Sequence, residues 1–143
     1  MFTLEFSLPT YPPFRLDLTV WALRRRSKNI IDSWDGTHYV RVFAFRENTV
    51  KVVVVQKGRK PQINAKASAF HPIPAMQETL TQLLNRMLGL QVNLDSFYQF
   101  VRQDERLFPL VKQFMGLKPP RFPSLFGSVT NAIACQQISL ESG

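Results

Sequence analysis

With 143 residues, 45% of them hydrophobic, the chain is long enough for one domain, or for a small domain and the start of another. Eighteen basic residues against ten acidic ones give a net charge of +8, which favours a polyanion as partner, with solubility as the plain alternative. A single cysteine excludes a disulfide framework and a cysteine-rich zinc site. With neither a signal peptide nor an apolar run able to cross a membrane, we expect an intracellular protein, cytoplasmic or nucleoid-associated.

The first ninety residues mix strand and helix patterns. Alternating apolar, β-branched and aromatic residues predict four strands, over residues 2–9, 39–45, 49–55 and 62–69. Residues 14–25 predict a first helix, and apolar residues at spacings of three and four predict a second, which Gly89 closes. The Asp35-Gly36 pair favours a hairpin turn. Because residues 52–55 are apolar on both faces, we expect helices to cover that strand on one side or both.

Short helices dominate the rest of the chain. Asn93 or Asp95 caps one, Asp104 caps a second that ends at Gly116, and Ser124 opens a third. We therefore predict an α+β domain over residues 1–90 and the start of an all-α domain over residues 91–143. The pattern predicts that another helix starts at Ser139, just before the sequence ends, so we expect the chain to be the front part of a longer protein.

Local patterns of catalytic and metal-binding residues are missing from the sequence. It contains no glycine-rich phosphate loop, no metal-ligand spacing and no local Cys-His or Ser-His pair. His38 and His71 are isolated, and Cys135 stands among small apolar residues, where a packed side chain is more common than a nucleophile. We therefore predict no catalytic residue, no metal and no cofactor in this chain.

Basic residues concentrate at three places that each adjoin a turn or a helix end: residues 24–28, residues 57–60, and Lys118 with Arg121. Side chains at such positions can reach phosphates, although a solvated surface explains the first two clusters equally well. The Pro119-Pro120 pair makes the third cluster rigid, which favours a functional role for Lys118 and Arg121.

Several segments of the sequence resemble a known family, and together they span most of the chain. Residues 117–121, Leu-Lys-Pro-Pro-Arg, and residues 132–139, Ala-Ile-Ala-Cys-Gln-Gln-Ile-Ser, resemble the entry to the catalytic region of helix-hairpin-helix DNA glycosylases. The branch they resemble most is 3-methyladenine DNA glycosylase II, and residues 23–41 are similar to its amino-terminal domain. Gly127 and Cys135 depart from the family pattern, in which an acidic residue and a glycine are usual.

The resemblance implies a fold, an activity and site residues. It implies an antiparallel sheet with two helices like the TATA-binding protein, followed by the first helices of a helix-hairpin-helix domain. The implied activity is excision of alkylated bases from double-stranded DNA in base excision repair. It also assigns roles to three residues. Gln137 enters the duplex and fills the gap left by the displaced base. Gln136 braces the bend beside it, and Ser139 belongs to the same DNA-binding segment. Trp21 falls near the base pocket, although a helix aromatic is more often a core residue.

The same resemblance predicts that this chain alone is inactive, because the family's hairpin and catalytic aspartate would lie beyond residue 143. Two alternatives stay open: a non-catalytic nucleic-acid-binding module, and a relative specialised for oxidised guanine, which would carry a catalytic lysine in its hairpin region. Phe114, Phe122, Phe126 and Ile133 would form an exposed apolar patch, through which we expect the chain to self-associate.

Overall fold

The computed structural model of the protein describes residues 1–24, 30–45 and 47–137. Its strands are β1 (Phe2–Pro9), β2 (Asp32–Trp34), β3 (His38–Phe45), β4 (Asn48–Val55) and β5 (Gln62–Ala69). Its helices are α1 (Leu16–Arg24), α2 (Met76–Leu88), α3 (Asp95–Val101), α4 (Leu107–Gln113) and α5 (Leu125–Gln137).

The strands form one antiparallel sheet in the order β1-β5-β4-β3-β2. Strands β2 to β5 follow one another as a meander, and β1 pairs with β5 at the far edge, so α1 carries the chain across the sheet from one edge to the other. The predicted α+β fold is confirmed.

One face of the sheet carries the core. Val52 and Val54 of β4 are fully buried in a single cluster with Val20 of α1 and Leu84 of α2. Val42, on the opposite face, is exposed. Alternation along the strands thus puts one set of side chains under the helices and leaves the other set facing solvent. Of the two arrangements expected for β4, the structure has helices α1 and α2 on one side of the sheet.

Strand β2 was not predicted, and a buried polar network explains why it forms. The Tyr39 hydroxyl donates to Asp32 Oδ1 over 2.6 Å, and Arg41 Nη1 donates to the same oxygen over 2.7 Å. Burial and the neighbouring Asp32 carboxylate raise the pKa of Tyr39. The predicted Asp35-Gly36 turn joins β2 to β3, with Asp35 Oδ1 accepting the backbone N–H groups of the two residues after Gly36.

The start of α1 and the end of α2 lie close to the predicted helix boundaries. Gly89 ends α2 as predicted, in the left-handed conformation at φ 60°, and the N–H groups of Gly89 and Leu90 both donate to the Asn85 carbonyl. Helix α1 begins at Leu16, two residues later than predicted, and residue 25 lies outside the described residues. The division of the chain near residue 90 stays a prediction.

Candidate nucleic-acid interface

Lys118 lies inside the protein, which corrects the expectation that it presents its charge to DNA. Its side chain is fully buried, and its Nζ donates to the Val92 carbonyl over 2.6 Å. The same ammonium lies 5.6 Å from the centre of the Tyr11 ring, within the range of a cation–π contact. Desolvation lowers the pKa of Lys118, partly opposed by the Asp95 carboxylate. In this position the ammonium holds the loop in place and is shielded from a phosphate outside.

A hydrogen-bond network around Lys118 joins the two parts of the chain. The Lys118 N–H donates to Thr19 Oγ1 on α1 over 3.1 Å. Tyr11 donates to Asp95 Oδ2 over 2.6 Å, and Asn93 Nδ2 donates to the Tyr11 hydroxyl over 2.8 Å. The bond to the Asp95 carboxylate raises the pKa of Tyr11. The loop of residues 117–123 is therefore anchored on residues far from it in sequence.

Arg121 stands on the same loop with its side chain exposed. Its backbone N–H donates to the Met87 carbonyl over 3.0 Å, and Arg86 Nε donates to the Phe122 carbonyl over 3.2 Å. Both bonds fasten the loop to α2. Among the described residues, no carboxylate forms an ion pair with Arg121. The predicted rigid basic loop therefore presents one charge, the Arg121 guanidinium, to a partner.

Helix α5 starts as predicted and leads to the glutamine pair. Ser124 Oγ accepts the Gly127 N–H over 3.0 Å, which caps the first turn. Gln136 is exposed near the end of the helix, and Gln137 is its last residue. The side chain of Gln137, like the whole of Ser139, lies outside the described residues. The proposed roles of these three residues stay predictions.

Trp21 lies on the surface. The expectation that this aromatic residue packs in the core is therefore wrong. Its side chain is 64% exposed, and its ring stacks on Phe114, with ring centres 5.9 Å apart and planes 23° apart. The contact joins α1 to the residue that follows α4. An exposed ring stacked on one side can accept a second flat or cationic group, since large aromatic surfaces favour such contacts.

Large apolar side chains are exposed on each of the last three helices, where sequence reasoning had identified only part of the set. A cavity of about 400 Å³ lies between α3 and α4. It is lined by Leu94, Phe97, Tyr98, Leu110, Val111, Phe114, Leu117 and Pro119. Phe126 on α5 is 81% exposed, and Phe114, Phe122 and Ile133 are exposed as expected. The spacing of three between Phe97 and Phe100, and again between Leu107 and Leu110, was the signal that could have identified this second apolar face.

The other two basic clusters, residues 24–28 and 57–60, differ in how much of them the structure describes. Arg24 donates through Nε to the Asp32 carbonyl over 3.0 Å, while residues 25–28 lie outside the described residues. The turn of residues 57–60 is exposed along its whole length. Within the described ranges, no three His, Cys, Asp or Glu side chains group as a metal site requires. No helix in that same part of the chain is long and apolar enough to cross a membrane.

Comparison with known proteins places this geometry in a family. A search of curated proteins finds no match to the sequence. Among solved structures, a 3-methyladenine DNA glycosylase from Archaeoglobus fulgidus is similar, with a TM-score of 0.68 and 19% sequence identity. The similarity covers 95% of this chain and 46% of that one, so the chain spans less than half the length of this relative, and at that identity it shows the fold. The family model of the AlkA N-terminal domain matches residues 5–124, most of the sequence, and the chain belongs to this family.

Proposed function

We propose that this chain is the amino-terminal part of a DNA glycosylase that excises alkylated bases in base excision repair. The observation that carries the proposal is the family match over residues 5–124, which extends through the anchored loop and Arg121. The net charge of +8 supports a polyanionic partner, which we take to be double-stranded DNA.

Arg121 is the residue we propose to contact a phosphate of the DNA backbone. Its loop is hydrogen-bonded to α2 through the backbone of Arg121 and of Phe122, so the backbone that carries the guanidinium is held in place. A guanidinium can donate two parallel hydrogen bonds to one phosphate, and a fixed base reduces the entropy lost on binding. Contacts of this kind orient the protein on the duplex without reading its sequence.

The end of α5 is the proposed site of entry into the duplex. An enzyme that draws a base out of the stack must stabilise the gap that remains. The amide of Gln137 can both donate to and accept from the unpaired partner base. We assign this role to Gln137, with the exposed Gln136 bracing the helix end and Ser139 contacting the backbone nearby.

Trp21 is our candidate for the edge of the base pocket. Alkylated purines carry positive charge, and an aromatic face stabilises a desolvated cation by about 2 kcal/mol. The stack on Phe114 fixes the orientation of the indole, and most of the ring stays open to a ligand. Exposure of the ring supports this role more than the core position first considered.

We further propose that the chain does not cleave an N-glycosidic bond by itself, since the family resemblance implies that the catalytic aspartate lies outside these 143 residues. Purified chain, incubated with methylated duplex DNA, should release no methylated base detectable by chromatography above a buffer control. Release that co-purifies with the chain and scales with its concentration would refute this proposal.

A non-catalytic binding module is the second candidate, favoured by the exposed basic turn of residues 57–60. The reading frame beyond residue 143 separates the two. A helix-hairpin-helix followed by an aspartate supports the glycosylase, a lysine in that hairpin region indicates the oxidised-guanine branch, and a stop codon supports the module.

Self-association through the exposed apolar side chains of α3 to α5 is a further part of the proposal. Monomeric soluble proteins rarely expose so many large apolar side chains to water. Sedimentation velocity should show a concentration-dependent dimer, which Leu110→Ser weakens because Leu110 lines the apolar cavity. A monomer at all concentrations would contradict this expectation.

A further inference from the structure

A second cleft lies apart from the anchored loop and the end of α5. Its volume is about 300 Å³, and it lies where the α+β part meets the end of α4. Three prolines, Pro12, Pro13 and Pro61, contribute to its wall, and three cationic side chains, Arg15, Arg59 and Lys112, stand around it. These residues come from three separate parts of the sequence, which only the fold brings together.

The charges around this cleft are unbalanced. Arg15 is paired with Asp17, its Nε lying 3.1 Å from one carboxylate oxygen and its Nη2 2.5 Å from the other. Arg59 and Lys112 are exposed, and neither forms an ion pair with any carboxylate in the described part of the chain. No acidic residue lines the cleft. Two unpaired cations beside an uncharged wall favour an anionic ligand.

The apolar wall of the cleft indicates that the anionic ligand also has an apolar part. A volume of 300 Å³ is at the lower end of ordinary small-ligand sites, which span about 300–1,000 Å³. Inorganic phosphate is much smaller than this and would leave the proline rings without a partner. A ligand that matches both the cationic side chains and the proline wall carries a phosphate at one end. At the other end it carries a sugar or base with a flat or apolar face.

We propose that this cleft binds a nucleotide, with its phosphate at Arg59 and Lys112 and its sugar or base against the proline wall. The nucleotide is either free or part of a single DNA strand, because both present the same phosphate, sugar and base. The cleft shares no lining residue with Arg121 or α5, so this inference stands independently of the proposed function.

The test is a titration of the isotope-labelled chain, followed through the backbone amide resonances of Arg59, Lys112 and Met115. The probes are deoxyadenosine monophosphate, inorganic phosphate and a single-stranded tetrathymidylate. We expect the mononucleotide to shift these amides and to bind at least about fivefold more tightly than inorganic phosphate. Arg59→Gln and Lys112→Gln should each weaken it about tenfold, since each removes a charged hydrogen bond at an exposed position.

A matched control distinguishes binding in the cleft from non-specific attraction of the nucleotide by the net positive charge. Lys51→Gln removes one positive charge from an exposed position on the sheet and should leave mononucleotide affinity unchanged. Tighter binding of the tetranucleotide than of the mononucleotide identifies a DNA strand as the source, and equal binding identifies a free nucleotide. Three results would each overturn the proposal. The cleft amides could stay unshifted, inorganic phosphate could bind as tightly as the nucleotide, or Lys51→Gln could weaken binding as much as the two cleft variants.

Discussion

Replacing Lys118 by alanine should destabilise the folded protein strongly, although lysine is ordinarily a surface residue. Its side chain has no exposed surface, and its Nζ donates to the Val92 carbonyl over 2.6 Å. Truncating a buried long side chain to alanine costs about 2–5 kcal/mol through lost contacts and the cavity left behind. Leaving the Val92 carbonyl without its donor costs about 1–3 kcal/mol more, partly offset because an ammonium no longer has to be buried. We therefore expect a loss of about 3 kcal/mol.

Lys118→Met separates packing from charge. Methionine keeps most of the buried volume and loses the ammonium, so we expect a smaller loss, about 1–2 kcal/mol. Because desolvation lowers the pKa of Lys118 from its ordinary value of 10.5, the folded state binds fewer protons than the unfolded state just below that pH. The penalty for burying the charge is fully present below the folded-state pKa and disappears as pH rises towards 10.5. The natural protein should therefore gain stability relative to Lys118→Met over that interval.

Urea denaturation followed by circular dichroism, at several pH values, measures these differences. Arg121→Ala on the same loop is the matched control, and because Arg121 is exposed we expect a change within about 0.5 kcal/mol. A loss below about 0.5 kcal/mol for Lys118→Ala would refute the reasoning, since it would indicate an exposed side chain. Equal slopes of stability against pH for the natural protein and Lys118→Met would refute the part that concerns the charge.

Three further substitutions test other parts of the structure by denaturation. Gly116→Ala should cost more than Gly36→Ala, although both glycines have φ near +100°. A Cβ at position 116 would lie 3.2 Å from the backbone nitrogen of Arg15, just before α1, whereas a Cβ at position 36 would have no atom within 4 Å, so equal losses would contradict the packing of the loop. Asp32→Ala should cost about 3–5 kcal/mol because it removes the buried acceptor shared by Tyr39 and a neighbouring arginine, and a loss under 1 kcal/mol would contradict the network. Trp21→Ala should cost no more than about 1.5 kcal/mol, the worth of an exposed aromatic stack, whereas a core tryptophan would cost about 3–5 kcal/mol.

Local patterns predicted most of the fold. Strand β1 is marked by alternation over residues 2–9, and α2 is marked by its period and by Gly89, whose left-handed conformation glycine adopts at little cost. The information for these elements lies within a few neighbouring residues. Strand β2 has no such signal, since it is three residues long and depends on Asp32 meeting side chains from β3.

The site was less predictable, because it depends on contacts between distant residues. The Pro119-Pro120 pair predicts a rigid loop, but nothing near Lys118 in sequence shows that its ammonium will donate to the Val92 carbonyl, 26 positions earlier. Trp21 was ambiguous because α1 has no clean apolar stripe, and its exposure is decided by where Phe114 lies. The second cleft, too, is assembled only by the fold, so no local motif marked it.

The salt dependence of duplex DNA binding tests the central claim most directly. Each phosphate contact contributes a slope of about −0.9 to log affinity against log salt concentration. We predict salt-dependent binding for the natural chain, a slope flattened by about 0.9 in Arg121→Ala, and an unchanged slope in Lys118→Met, whose ammonium lies inside. Binding that does not depend on salt, or a slope that flattens in Lys118→Met and stays unchanged in Arg121→Ala, would contradict the proposal that this loop approaches DNA through Arg121.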